Sequence, residues 1–240
     1  MKTSLGNVPR FLLLCGILAP VTMMAVIIIV GLLTPGYDPI SSTISQMGTP
    51  DKPYAFLLNG GYFIYGLLII AAAYGLYQTL AFTPIAGRVA ILVSFHGIFT
   101  VLLGVFTDVP YIQQRFMAHI VHDIVSILSY VPLMMGILVF RKITKQDLTL
   151  KVTGILGLVI VTAALFSPAF TLFAPLKQIS GLLQRIITGG TFAWLTLTFC
   201  LLYRKRQRLY GVREITSSKS RKYPTRESDL SDLKTTSQAE

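Results

Sequence analysis

Six nearly uncharged apolar stretches, each roughly 20 residues long, restrict the folding of this 240-residue chain more than any other feature. A hydrocarbon layer about 30 Å thick is crossed by roughly 20 apolar residues in an α-helix, so each stretch is long enough to span a bilayer. The runs are Phe11–Leu33, Phe56–Leu80, Val89–Phe106, Met117–Phe140, Val152–Phe173 and Ile179–Tyr203. In lipid only helices and closed barrels satisfy their own backbone polar groups, and barrel strands alternate with a period of two over about ten residues. These runs are too long and too uniform for strands. The expected fold is therefore all-α, a polytopic membrane helix bundle with six transmembrane helices. The first run is longer than a signal-peptide core and no small-residue cleavage pattern follows it, so it is read as a retained span.

Composition agrees, with 53% hydrophobic residues, 13% charged residues and a mean hydropathy of +0.66, values that exclude most soluble classes. The formal charge of +11 raises the question of nucleic acid until the cations are located. Seventeen of the 21 Lys and Arg fall on one face of the expected topology and four on the other. Basic residues in short loops stay on the cytoplasmic side, so both termini are expected in the cytoplasm of a plasma-membrane protein. Residues 1–10 are then a cytoplasmic N-terminus, 11–203 the transmembrane domain and 204–240 a disordered basic tail. Arg204-Lys205-Arg206-Gln207-Arg208 follows the last span directly. Such a cluster suits an anionic leaflet, at about 1 kcal/mol per cation, better than nucleic acid.

Ionisable residues at depth are costly unless paired or hydrated, which makes them the informative ones. They are His96, Asp108, Arg115, His119, His122, Asp123 and Arg185. His119, His122, Asp123, Ser126 and Tyr130 recur at i, i+3, i+4, i+7 and i+11, one stripe of a helix that cannot face lipid. His96, Thr100 and Thr107 share a face of the preceding helix, and Asp108 caps its outer end. The two polar faces are expected to meet in the outer half of the membrane.

Imidazole and carboxylate are metal ligands, so His96, His119 and His122 are candidate ligands for a divalent metal such as zinc, which would activate water for hydrolysis. No transmembrane Glu is present, and the role of general base falls to Asp108 or Asp123. The opposing reading is structural, with Arg115 and Arg185 forming buried ion pairs with the two aspartates. The outer segment from Tyr37 to Gly48 opens with Asp38-Pro39, an N-cap followed by the first helical position. It predicts a short surface helix carrying Ser42 and Ser45 as a lid over the polar site.

Tyr37-x-Pro39 followed by Ile44-Ser45, then Asn59-Gly60-Gly61, Gly104-Val105-Phe106-Thr107-Asp108 and His119-x-x-His122 resemble an uncharacterised integral-membrane family called domain of unknown function nine-nine-eight. The resemblance covers roughly residues 10–205. Gln46 stands where the family usually has an acid, and Asp123 where a Gly often follows the second His. The resemblance implies six spans and an outward cluster of Asp and His, and it brings no settled activity, substrate or cofactor. Three functions stay open. One is an enzyme, such as a metal-dependent hydrolase acting on a lipid-like substrate. The second is a non-enzymatic sensor, scaffold or assembly factor. The third is a proton-coupled transporter, disfavoured because Val131–Phe140 is wholly apolar and no internal repeat is evident.

Overall fold

The computed structural model describes residues 10–80, 83–109, 116–145, 147–166 and 174–222. It divides into two compact units, Met1–Tyr203 and Arg204–Glu240. The helices are α1 (Arg10–Leu33), α2 (Ala55–Leu80), α3 (Ala86–Val105), α4 (Phe116–Thr144), α5 (Lys151–Leu165), a single turn α6 (Ala174–Lys177) and α7 (Ser180–Lys222), with 3₁₀ turns at Ser45–Gly48 and Leu148–Leu150. No strand occurs among the described residues. Six helices are long and apolar enough to cross a membrane. Their outward faces are apolar as well: Leu32 is 83% exposed and Phe56 69%, surfaces that only lipid would solvate comfortably.

Among the described residues the expected spans differ from these helices mainly at their ends, and residues 167–173 of the fifth expected span lie outside those described. The helix α7 continues to Lys222, past the point where a disordered tail is expected to begin, and residues 223–240 lie outside those described. The largest local correction concerns the segment after α1. The helix expected from Asp38 reduces to turns and the four-residue 3₁₀ helix Ser45–Gly48. Asp38 does cap the backbone, accepting from the N–H groups of Ile40 and Ser41 at 3.0 and 3.3 Å. The carbonyls that a helix would consume are instead directed at the start of α7. Those of Pro39 and Ser42 accept from Arg185, that of Ile40 from the Leu182 N–H and that of Ser41 from the Ser180 hydroxyl. The early N–H groups of a helix have no partner within it, so this docking also supplies part of what the start of α7 lacks.

Two glycines permit the close approaches on which this arrangement depends. A Cβ at Gly181 would collide with the backbone oxygens of Ser42 and Pro39, and one at Gly66 would lie 2.5 Å from the Gly97 oxygen where α2 crosses α3. At the end of the bundle that carries both Leu13 and Leu202, the interior is filled by large side chains. Phe140 and Trp194 meet edge to face with ring centroids 5.8 Å apart, and both are sealed from solvent together with Phe199. The Trp194 indole N–H donates to the Thr153 carbonyl at 2.8 Å, so the polar edge of the ring is satisfied at depth.

Candidate functional site

The opposite end of the bundle is hollow. A cavity of about 530 Å³ reaches from the 43–46 segment into the helices, and all three histidines, Asp108 and Asp123 line it. Along α4 it extends from His119 to Tyr130, about 16 Å at helical rise. The stripe foreseen on that helix lines it in full, from His119 through Ser126 to Tyr130. The walls draw on more of the bundle than α3 and α4: Tyr62 and Tyr65 of α2, Ile27 of α1 and Gln184 and Thr188 of α7 also contribute.

At the mouth, four side chains form a chain of hydrogen bonds. The His119 Nδ1–H donates to Asp108 Oδ1 at 3.1 Å, and the Ser45 hydroxyl donates to Asp108 Oδ2 at 3.0 Å. With the Ser45 proton so committed, the Thr43 hydroxyl is the donor in its 3.2 Å contact with Ser45. On the other edge of the ring, His119 Nε2 lies 3.6 Å from Asp123 Oδ2, so two carboxylates flank one imidazole. Asp108 is the sheltered member and Asp123 the open one, with side chains 11% and 59% exposed. The 3₁₀ turn thus acts through Ser45, whereas Ser42 contributes its backbone carbonyl to Arg185.

Deeper in, backbone carbonyls fix the histidine tautomers, because a carbonyl can only accept. His122 Nδ1 is 2.8 Å from the Phe106 oxygen and must carry the proton, which makes Nε2 the lone-pair nitrogen of the neutral ring. Residue 122 lines the cavity, and its Nε2 is not a sealed atom: among the described residues the one buried side-chain N or O without a partner is Thr198 Oγ1. His96 Nδ1 likewise donates to the Ser129 oxygen at 2.8 Å, and its Nε2 accepts from the Tyr65 hydroxyl at 3.0 Å. Both ring nitrogens of His96 are therefore engaged.

This arrangement corrects two expectations. The structure does not gather His96, His119 and His122 into one ligand set, since His96 is committed to Tyr65 and Ser129, and among the described residues no group of three or more His, Cys, Asp or Glu is arranged to hold a metal ion. Arg185 does not pair with Asp108 or Asp123. Its Nη1 donates to the carbonyls of Pro39, Ser42 and Gly181 at 2.8–2.9 Å, its Nη2 donates to the Tyr37 hydroxyl, and the guanidinium sits 5.3 Å from the Tyr37 ring centroid. Burial pushes the Tyr37 phenol up despite the opposing pull of Arg185, so it keeps its proton and donates toward the carbonyls of Ser42 and Thr43. The other candidate cation, Arg115, lies outside the described residues.

Gln184 and Thr188, which sequence reasoning did not assign to the site, complete it. Gln184 accepts from the Ile44 N–H at 2.7 Å, and Tyr130 and Thr188 share a 3.0 Å hydrogen bond across the cavity. Gln184 was visible as an interruption in an apolar run, but the Phe106 and Ser129 carbonyls that orient the histidines carry no sequence signal.

A family model described as "Protein of unknown function (DUF998)" matches residues 17–200. No curated protein and no solved structure matches the chain.

Proposed function

The chain belongs to the family described as protein of unknown function DUF998, and from that premise we propose that its cavity performs acid–base chemistry on the polar end of a lipid-like substrate. The observation that carries this reading is the convergence of Asp108, His119 and His122 on one 530 Å³ cavity whose walls also include apolar side chains such as Ile27 and Leu103. Most of its lining is polar, with Met23, Ile27, Ile44, Leu103 and Phe192 as the apolar part, a mix that suits the polar end of an amphiphile. His122 is the proton acceptor in this reading. Its Nδ1–H is held by a backbone carbonyl, and a base oriented by a third group is the arrangement that general-base catalysis requires. Asp108 orients His119 in the same way, with a carboxylate in place of the carbonyl. Asp123, the more exposed carboxylate, is the route by which a proton returns to solvent.

The excess of basic residues on one expected face supports cytoplasmic termini, a site in the outer half of the plasma membrane, and a basic tail that meets anionic lipid. The donor geometry gives no support to a resident zinc ion, and the reading does not require one. A second reading, a non-enzymatic sensor, scaffold or assembly factor, is favoured by the way both oxygens of Asp108 and both nitrogens of His96 find protein partners, as in a structural network. A proton-coupled transporter has less support, because Phe140, Trp194 and Phe199 close the interior beyond the cavity.

The test is to reconstitute the full chain in vesicles of total lipid extract and compare lipid profiles by mass spectrometry. The enzymatic reading expects one lipid species to be consumed by the wild type and to persist with His122→Ala, a rate loss of about 10²- to 10⁴-fold. Indistinguishable profiles for folded wild type and protein-free vesicles would remove it in favour of the second reading.

A further inference from the structure

A second cavity, about 520 Å³, lies on the outer flank of the bundle between α1 and the start of α7. Its α1 wall is apolar, formed by Met24, Ile27, Ile28 and Leu32, and it spans about 12 Å of helix from Met24 to Leu32. Ile28 is 53% exposed and Leu32 83%, so this wall faces the lipid layer. At the bundle end of the groove stand Tyr37 and Arg185. The groove shares Ile27, Ile44 and Thr188 with the histidine cavity, and those three side chains form the partition between them.

Arg185 gives this groove its chemistry. A guanidinium has five N–H donors. The protein uses the Nη1 pair on three carbonyls and one Nη2–H on Tyr37, which leaves the Nε–H and a second Nη2–H. The Nε is not a sealed atom, since Thr198 Oγ1 alone is buried without a partner among the described residues. No carboxylate lies within ion-pair distance of Arg185 among those residues; its direct partners are neutral oxygens and the Tyr37 ring, with Asp38 attracting it from farther away. Nε and Nη2 lie on the same edge of the guanidinium, the fork that binds two oxygens of a phosphate or carboxylate at once. Residue 185 sits within the first two turns of α7, beside Tyr37 just beyond the end of α1. Both therefore stand near span ends, and span ends are where phospholipid phosphates gather.

We infer that this groove is a phospholipid site, in which Arg185 holds the phosphate through Nε and Nη2 while an acyl chain lies along Met24, Ile28 and Leu32. A phosphate fits better than a carboxylate because it sits at the interface in every bilayer phospholipid, with its chains directed along α1. The inference concerns binding and holds whether or not the neighbouring cavity performs a reaction.

Native mass spectrometry of the full chain in detergent micelles tests it, with dioleoyl phosphatidylglycerol, phosphatidylcholine and diacylglycerol as probes. Both phospholipids should be retained about tenfold more strongly than diacylglycerol, the factor expected for charge-assisted hydrogen bonds to one phosphate. Arg185→Gln should abolish that preference, and Ile28→Trp, which fills the groove without touching the Tyr37–Ser42 segment, should weaken all retention about tenfold while preserving the melting temperature. If Arg185→Gln fails to fold, Ile28→Trp decides alone. Equal retention of diacylglycerol and phosphatidylglycerol, or unchanged phospholipid retention by folded Ile28→Trp, would overturn the inference. His122→Ala should leave retention unchanged, which separates this site from the acid–base reading.

Discussion

The same helices that close one end of the bundle leave a cavity at the other. At the end that holds Leu13 and Leu202, Trp194, Phe140 and Phe199 exclude solvent, and the one polar ring edge, that of Trp194, is paired to a carbonyl. At the end that holds Ser45 and His119, the interior is open and lined by hydroxyls, imidazoles and carboxylates. In lipid, helix association draws little from the hydrophobic effect and depends on packing and hydrogen bonds. The filled end therefore supplies most of the cohesion. The hollow end carries polar groups that hydrogen-bond to neighbouring helices and loops.

Substitutions at the two ends break or sharpen that contrast. The largest loss of stability should come from Trp194→Ala, which empties the filled end and removes the indole donor from the Thr153 carbonyl. Unfolding in detergent should show a loss of about 3–5 kcal/mol. Gly181→Ala comes next, at about 1–3 kcal/mol, because the new methyl meets backbone oxygens that cannot rotate away. Limited proteolysis should then cut within residues 37–48 while the remaining helices stay protected. Tyr130→Phe should cost least, about 1 kcal/mol, since Thr188 loses one partner in a cavity where water can replace it. If Tyr130→Phe were as damaging as Trp194→Ala in the same melting experiment, the hollow end would be part of the structural core and the contrast would fail.

The fold is almost fully legible in the sequence, because span length and absence of charge are properties of each segment taken alone. The site is legible only in part. The α4 stripe emerges from periodicity, and all five of its residues line the cavity. The pairing of Ser45 with Asp108 joins residues 63 apart, and nothing local announces it. The lid helix fails for a related reason. Asp38-Pro39 is a sound local start signal, but the carbonyls that follow are worth more on Arg185 and the start of α7 than within a short isolated helix. The ligand set fails because sequence places His96, His119 and His122 on facing helices but cannot show that Tyr65 and Ser129 already occupy both nitrogens of His96.

The central claim is that His122 presents a lone pair to the cavity while a backbone carbonyl holds its other nitrogen. With three histidines in the chain, nitrogen NMR of histidine-labelled protein in nanodiscs resolves each ring, and His→Gln variants at positions 96 and 119 assign the signals. The account predicts that the neutral His122 ring is the Nδ1–H tautomer, with the lone pair on Nε2. A His122 ring found as the Nε2–H tautomer would contradict it, because the Phe106 bond would then be unmade and no base would face the cavity.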